Sequence, residues 1–234
     1  MSQIMSQIEK RLETIGQRID SAARRAGRKP EEISLMAVTK LHPKESIEAA
    51  YQAGIRLFGE NRVQEAEEKY TGFYPDAELH IIGHLQSNKA KKVVGLASCV
   101  QSIDKLKTAM ELEKRCAAED ISMGIYLEVN TSGEESKSGY LSSEAMYSEL
   151  EEIALLKHLR VEGLMTIGPL TEEEKHIRDA FSGLRELFEE TRNRYPELPL
   201  RVLSMGMTSD FETAIEEGST MVRIGSAIFG QRNY

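Results

Sequence analysis

The chain has no tryptophan, two cysteines among 234 residues, and aromatic side chains at only 6% of the total. Cys99 and Cys116 are too few to staple a chain of this size, and they fit neither a CxxC pair nor a Cys/His metal spacing. Both are expected to be buried small hydrophobes in a reducing compartment. Also missing is any uninterrupted apolar run near twenty residues, and positions 1–10 hold a repeat of Met-Ser-Gln-Ile where a signal would need a basic segment leading into an apolar one. A membrane span and a standard secretion signal are therefore not expected, and the cytoplasm is the expected location. Nor is positive charge in excess: a formal net charge of −8 disfavours general nucleic-acid binding. The one basic cluster, Lys89, Lys91 and Lys92, falls in a polar helical stretch and reads as a solvated face. No Pro/Gly/Ser-rich linker divides the chain, so a single domain over 1–234 is expected. Its 40% hydrophobic and 29% charged residues are the balance of a soluble globular protein with a sizeable core.

What is present is a rhythm. Ile8, Leu12, Ile15, Ile19 and Ala22 recur at steps of three and four, predicting an amphipathic helix over 8–25 that ends near Gly27, with Pro30 beyond it. Short β-rich runs follow at 33–39, 56–59, 79–83, 98–103, 124–129, 161–167, 201–205 and 221–224. Helical spacing fills 44–53, 62–70, 88–94, 105–119, 143–157, 172–195 and 209–217 between them. Alternation of this kind argues for parallel strands joined by right-handed crossovers. Eight such strands in so short a chain predict a (β/α)8 barrel with an extra N-terminal helix. A doubly wound open sheet is the alternative, because strand count alone does not prove closure. The longest irregular stretch, 130–141, is polar and follows a strand, where a barrel keeps its functional loops.

In a barrel the site lies at the carboxyl ends of the strands. Lys40 ends the first strand after the apolar run Leu35-Met36-Ala37-Val38. Beside an apolar core it could act as an amine nucleophile toward aldehydes, or it could simply snorkel out of the rim. The seventh and eighth strand ends, Ser204-Met205-Gly206-Met207-Thr208-Ser209 and Arg223-Ile224-Gly225-Ser226, put glycines and hydroxyls where barrels often hold phosphate. Ser209 with Glu212 fits a capping box, which would aim a helix N-terminus at an anion near Gly206 or merely cap an ordinary helix. Arg223 precedes Gly225 by two and so shares its side of the strand, either facing the barrel mouth or pairing outward with a helix carboxylate. Asn61, His84 and Thr166 stand at three further strand ends, each equally readable as a cap, a turn residue or a strand-end hydroxyl.

Five runs in register carry more than any one of these. Ala37-Val38-Thr39-Lys40, the octet from Phe58 through Gly59-Glu60-Asn61-Arg62 to Glu65, the octet from Ile82 through Gly83-His84 to Lys89, Ser204-Met205-Gly206-Met207, and the nonet from Val222 through Arg223-Ile224-Gly225-Ser226 to Gly230 closely resemble the pyridoxal phosphate homeostasis proteins along the whole chain. The resemblance implies a barrel like the alanine racemase N-terminal domain, the type III fold of pyridoxal phosphate proteins. It implies pyridoxal 5'-phosphate held as a Schiff base on Lys40, with phosphate contacts from Ser204, Met205 and Gly206 and from Gly225 and Ser226. It also implies Arg223 at the pyridine nitrogen, with Asn61, His84 and Thr166 lining the ring. Leu41-His42 and Thr208-Ser209 depart slightly from relatives, where these positions vary as well.

The function expected is therefore a cofactor carrier, supplying or buffering pyridoxal phosphate for apo-enzymes, monomeric and without catalysis. An arginine at the ring nitrogen makes the cofactor a poorer electron sink than an aspartate would. The sequence running out at Tyr234, just after strand eight, is expected to leave the barrel without a second domain that could cover the cofactor or supply a second base. Two alternatives stand beside it: a small pyridoxal-phosphate-dependent racemase or lyase, with Tyr140 as a loop-borne base and a Schiff-base aldolase as a more distant version, and an interaction protein with a vestigial pocket.

Overall fold

Short strands covered on both faces are apolar almost throughout, and the chain has eight of them among its described residues, 3–134 and 136–230 of a computed structural model. They are β1 (Ser34–Val38), β2 (Leu57–Glu60), β3 (Glu78–Ile81), β4 (Cys99–Ile103), β5 (Met123–Glu128), β6 (Leu159–Met165), β7 (Val202–Ser204) and β8 (Met221–Ile224). All neighbours are parallel, and β8 pairs back onto β1 through Met36↔Arg223 and Ala37↔Ile224, so the sheet is closed and the open-sheet alternative falls. Helices α1 (Gln3–Arg25), α2 (Lys44–Gln52), α3 (Val63–Tyr70), α4 (Ala90–Val93), α5 (Leu106–Glu119), α6 (Ser143–Ala154), α7 (Glu174–Arg194), α8 (Phe211–Glu216) and α9 (Ser226–Phe229) wrap it.

Alternation along the strands divides the apolar residues into two shells. Outward positions such as Ala37, Phe58, Ile81, Val100, Ile125 and Val222 pack against the helices. Inward positions form a smaller, sulfur-rich cluster of Met36, Cys99, Tyr126, Met165 and Met221. Gly59 is part of that arrangement, since a Cβ there would stand 2.6 Å from Met36 Sδ. Cys99 and Cys116 are both buried and unbridged.

Several boundaries differ from the sequence reading. Helix α1 begins at Gln3 and takes in most of the Met-Ser-Gln-Ile repeat. The stretch 88–94 is a 3-10 turn at Ser87–Lys89 followed by the single-turn α4. The capping box at Ser209 does not form: the N-cap of α8 is Asp210, and Glu212 is taken by Arg18 of α1 at 2.9 and 2.8 Å. Helix α9 has no counterpart in the sequence reading. Tyr234, on which the expectation of an uncovered barrel rests, lies outside the described residues.

Candidate functional site

Lys40 follows Thr39, where β1 gives way to a tight turn. The turn is closed by the His42 N–H donating to Thr39 O at 3.0 Å and puts Leu41 in the left-handed region at φ 62. For a residue with a Cβ this costs roughly 1 kcal/mol, so something must hold it. Glu65 Oε2 accepts the Leu41 N–H at 2.9 Å. Below, Lys69 Nζ donates to Thr39 O at 3.0 Å, to Glu60 Oε1 at 2.8 Å and to Glu65 Oε2 at 2.8 Å. Thr39 Oγ1 reaches Glu60 at 2.9 Å and the Tyr70 hydroxyl at 2.8 Å. The turn that presents Lys40 thus sits on a buried ionic knot from β2 and α3. Burial pushes the Glu60 carboxyl above its ordinary range despite Lys69. At Glu65 burial is outweighed by the bonds from Lys69 and Leu41, and its carboxyl lies below that range.

On the adjoining strand Arg223 points inward and is 4% exposed, so the mouth-facing alternative is the one realised. Its Nη1 donates to Ser204 Oγ and its Nη2 to Thr166 O, both at 2.7 Å. Burial pushes the guanidinium down to about 10, with Asp210 and Glu128 opposing, so it remains a cation at neutral pH. After β7 the chain turns at Gly206, φ 95, where a Cβ would stand 2.6 Å from Ala214 Cβ. Asp210 Oδ1 accepts the Met207 N–H at 2.6 Å and fixes the following strip. There Thr208 Oγ1 lies 3.3 Å from Ser226 Oγ, at the start of α9 just after Gly225.

A cavity of about 290 Å³ opens between these elements at the carboxyl ends of the strands, lined by Lys40, Asn61, Arg223, Gly225 and Ser226 together with Val38, Ile82, Ile167 and the strip Met207–Ser209. Half of the sequence-predicted set therefore meets in one place. The others do not line it. Ser204, Met205 and Gly206 are buried beneath, and the Ser204 hydroxyl serves Arg223, so the hydroxyls that line the cavity are those of Thr208, Ser209 and Ser226. Thr166 is fully buried, its hydroxyl on Val129 O at 2.7 Å and its carbonyl on Arg223. His84 is exposed in a neighbouring cleft shared with Asn61, its Nδ1 3.4 Å from Asp104. Tyr140 is buried and donates to Glu149 at 2.7 Å. The sequence reading passed over the Glu60–Lys69 knot and two inward side chains, Gln101 and Glu128. Only the strand period of two marks Gln101 and Glu128.

The family model described as alanine racemase, N-terminal domain, matches residues 11–233. A pyridoxal phosphate homeostasis protein from Aquifex aeolicus is 41% identical over 225 residues, covering 96% of this chain and 98% of its own. The structure of PipY from Synechococcus elongatus PCC7942, solved with PLP bound, superposes with a TM-score of 0.83 at 34% identity, covering 95% of this chain and all of its own. An alanine racemase from Clostridium difficile shares the fold at TM-score 0.76 and 12% identity, with 57% of its chain covered.

Proposed function

Because this chain belongs to the pyridoxal phosphate homeostasis family, we propose that it binds pyridoxal 5'-phosphate in the cavity between β1 and β8, on Lys40, and hands it to apo-enzymes in the cytoplasm without catalysing a reaction of its own. The observation that carries this is the meeting of a lysine amine, a buried arginine and a glycine–hydroxyl strip in one cavity. The volume, about 290 Å³, is at the lower end for small-molecule pockets and suits a ligand of one ring and one phosphate.

The donor set fits the cofactor. When bound, the cofactor supplies an aldehyde that condenses with a primary amine. Lys40 provides that amine on a turn that its knot holds in place. Ser226, Thr208 and the backbone entering α9 at Gly225 provide phosphate donors. Arg223, pinned by Ser204 and Thr166, can direct a remaining N–H at the ring nitrogen but gives up no proton to it, which disfavours carbanion chemistry. Asn61 lines the cavity and would flank a bound ring; Thr166 acts through Arg223, and His84 lines the adjoining cleft. Unbridged thiols support a reducing compartment, and no helix among the described residues is long and apolar enough to cross a membrane.

The experiment is transfer in the presence of a scavenger of free cofactor. Loaded protein is mixed with an apo-enzyme and recovery of that enzyme's activity is followed, with a chiral assay of L-alanine run on the carrier alone. Wild-type protein is expected to restore the enzyme's activity without racemising L-alanine, and Lys40→Ala to restore none. Racemisation lost in Lys40→Ala would replace the carrier by an enzyme.

A further inference from the structure

Beneath the cavity floor the barrel interior carries polar side chains where apolar ones would fill the space more cheaply. His80 on β3, Gln101 on β4, Ser204 on β7 and Arg223 on β8 are 4%, 0%, 0% and 4% exposed. They form one chain: Arg223 Nη1 to Ser204 Oγ at 2.7 Å, Ser204 Oγ to Gln101 Oε1 at 2.8 Å, and Gln101 Nε2 to His80 Nδ1 at 2.8 Å.

The polarity of this chain is fixed from one end, because a guanidinium has donors and no acceptor. Arg223 donates, so the Ser204 hydroxyl receives there and turns its own hydrogen to Gln101. The amide oxygen accepts it, which leaves the amide NH2 facing His80 and Met221 Sδ, the latter at 3.2 Å. His80 Nδ1 must therefore be a bare acceptor, with the ring proton on Nε2, 3.7 Å from Glu78 Oε2. The flipped amide would donate to the second lone pair of the hydroxyl, taking from the buried Ser204 O–H its acceptor and from Met221 Sδ its donor, at a cost of about 1–3 kcal/mol.

We infer that Ser204, Gln101 and His80 are positioning residues that fix the orientation of the Arg223 guanidinium, and so the direction in which its remaining N–H groups meet an aromatic ring nitrogen in the cavity. Thr166 O holds one guanidinium nitrogen, and without Ser204 the other would have no acceptor below it. Gln101 spans the distance from β7 to β3 as a neutral amide, which places no second charge beside a buried cation. The identity of the ring rests on the cofactor reading above; the polarity of the chain is a property of the ligand-free protein.

Two measurements test this. In ligand-free protein at pH 8, the ring-nitrogen NMR shifts of His80 should show Nε2 protonated and Nδ1 bare. Ser204→Ala, which does not touch His80, should release Gln101 and convert this to a tautomer mixture, and Ser204→Thr should restore it. In loaded protein, the shift of a 15N-labelled pyridine nitrogen should move in Ser204→Ala and in Gln101→Met, with cofactor retention falling about tenfold, the loss expected for one hydrogen bond to a charged group. A proton on Nδ1 of wild-type His80 would overturn the polarity. An unmoved ring nitrogen with unchanged retention in both variants would overturn the positioning role. A wild-type protein with the expected tautomer but no affinity for pyridoxal phosphate would instead refute the cofactor reading, and the ring-directing role with it.

Discussion

Glu128 ends β5 inside the barrel at 3% exposure, and its replacement by glutamine should stabilise the protein in a pH-dependent way. Burial pushes its carboxyl up to about 7 from 4.5, Asp104 adds to the rise, and Arg223 opposes it. In the unfolded chain the group titrates near its ordinary value. A folded value above the unfolded one means that the stabilising contribution is complete below about pH 4.5 and is lost as pH rises through about 7. Linkage over these two values puts the loss at about 1 kcal/mol at pH 5 and about 3 kcal/mol at pH 8. Glutamine has the same shape and no proton to lose, so Glu128→Gln should gain on wild-type by roughly 2–3 kcal/mol between those pH values, whatever the offset at pH 5. Urea unfolding of ligand-free protein at pH 5, 6, 7 and 8 reads this directly, provided the slope with denaturant is the same in both proteins. A difference that stays flat from pH 5 to 8 would refute the raised carboxyl and the reasoning built on its burial.

Two further outcomes follow from the same packing. Lys69→Met strips the compensating charge from fully buried Glu60 and should cost about 3 kcal/mol, while adding Glu60→Gln should recover much of it; additive losses in chemical denaturation would show that the knot under Lys40 is not coupled. Gly206→Ala must place a Cβ at φ 95 and 2.6 Å from Ala214 Cβ, so a loss of about 2–4 kcal/mol in the same assay is expected, and an unchanged midpoint would contradict the close approach.

The barrel was legible because parallel strands buried on both faces are written as short apolar runs, and their spacing through helical stretches leaves few topologies. Lys40, Arg223 and Gly225 were legible because position relative to a strand end is local information: two residues from Arg223 to Gly225 fix a shared side whatever else the chain does. Where the structure departs from the local reading, the cause is contacts made by residues distant along the chain. Ser209 and Glu212 spell a capping box, but Glu212 is drawn off by Arg18, nearly the whole chain earlier. Ser204 spells a phosphate hydroxyl, yet it faces Gln101 and Arg223 across the barrel. His84 is next to Gly83, which packs so closely on Asn61 that a Cβ would stand 2.4 Å from Asn61 O, and the two loops make a second cleft beside the cavity. A four-residue helix such as α9 is too short to leave a periodic pattern.

Closure of the sheet by β1 against β8 also sets the order in which the binding site can come into being. Lys40 leaves the ribosome first, while Arg223, Gly225 and Ser226 emerge roughly 10–40 s later at 5–20 residues per second. Until then the lysine ends a strand that has β2 on one side and an open edge on the other. A nascent chain still lacking β8 has no closed cavity in which to hold a ligand. Completion of the cavity must wait for β8, and a chain cut short before it has Lys40 but not Arg223, Gly225 or Ser226.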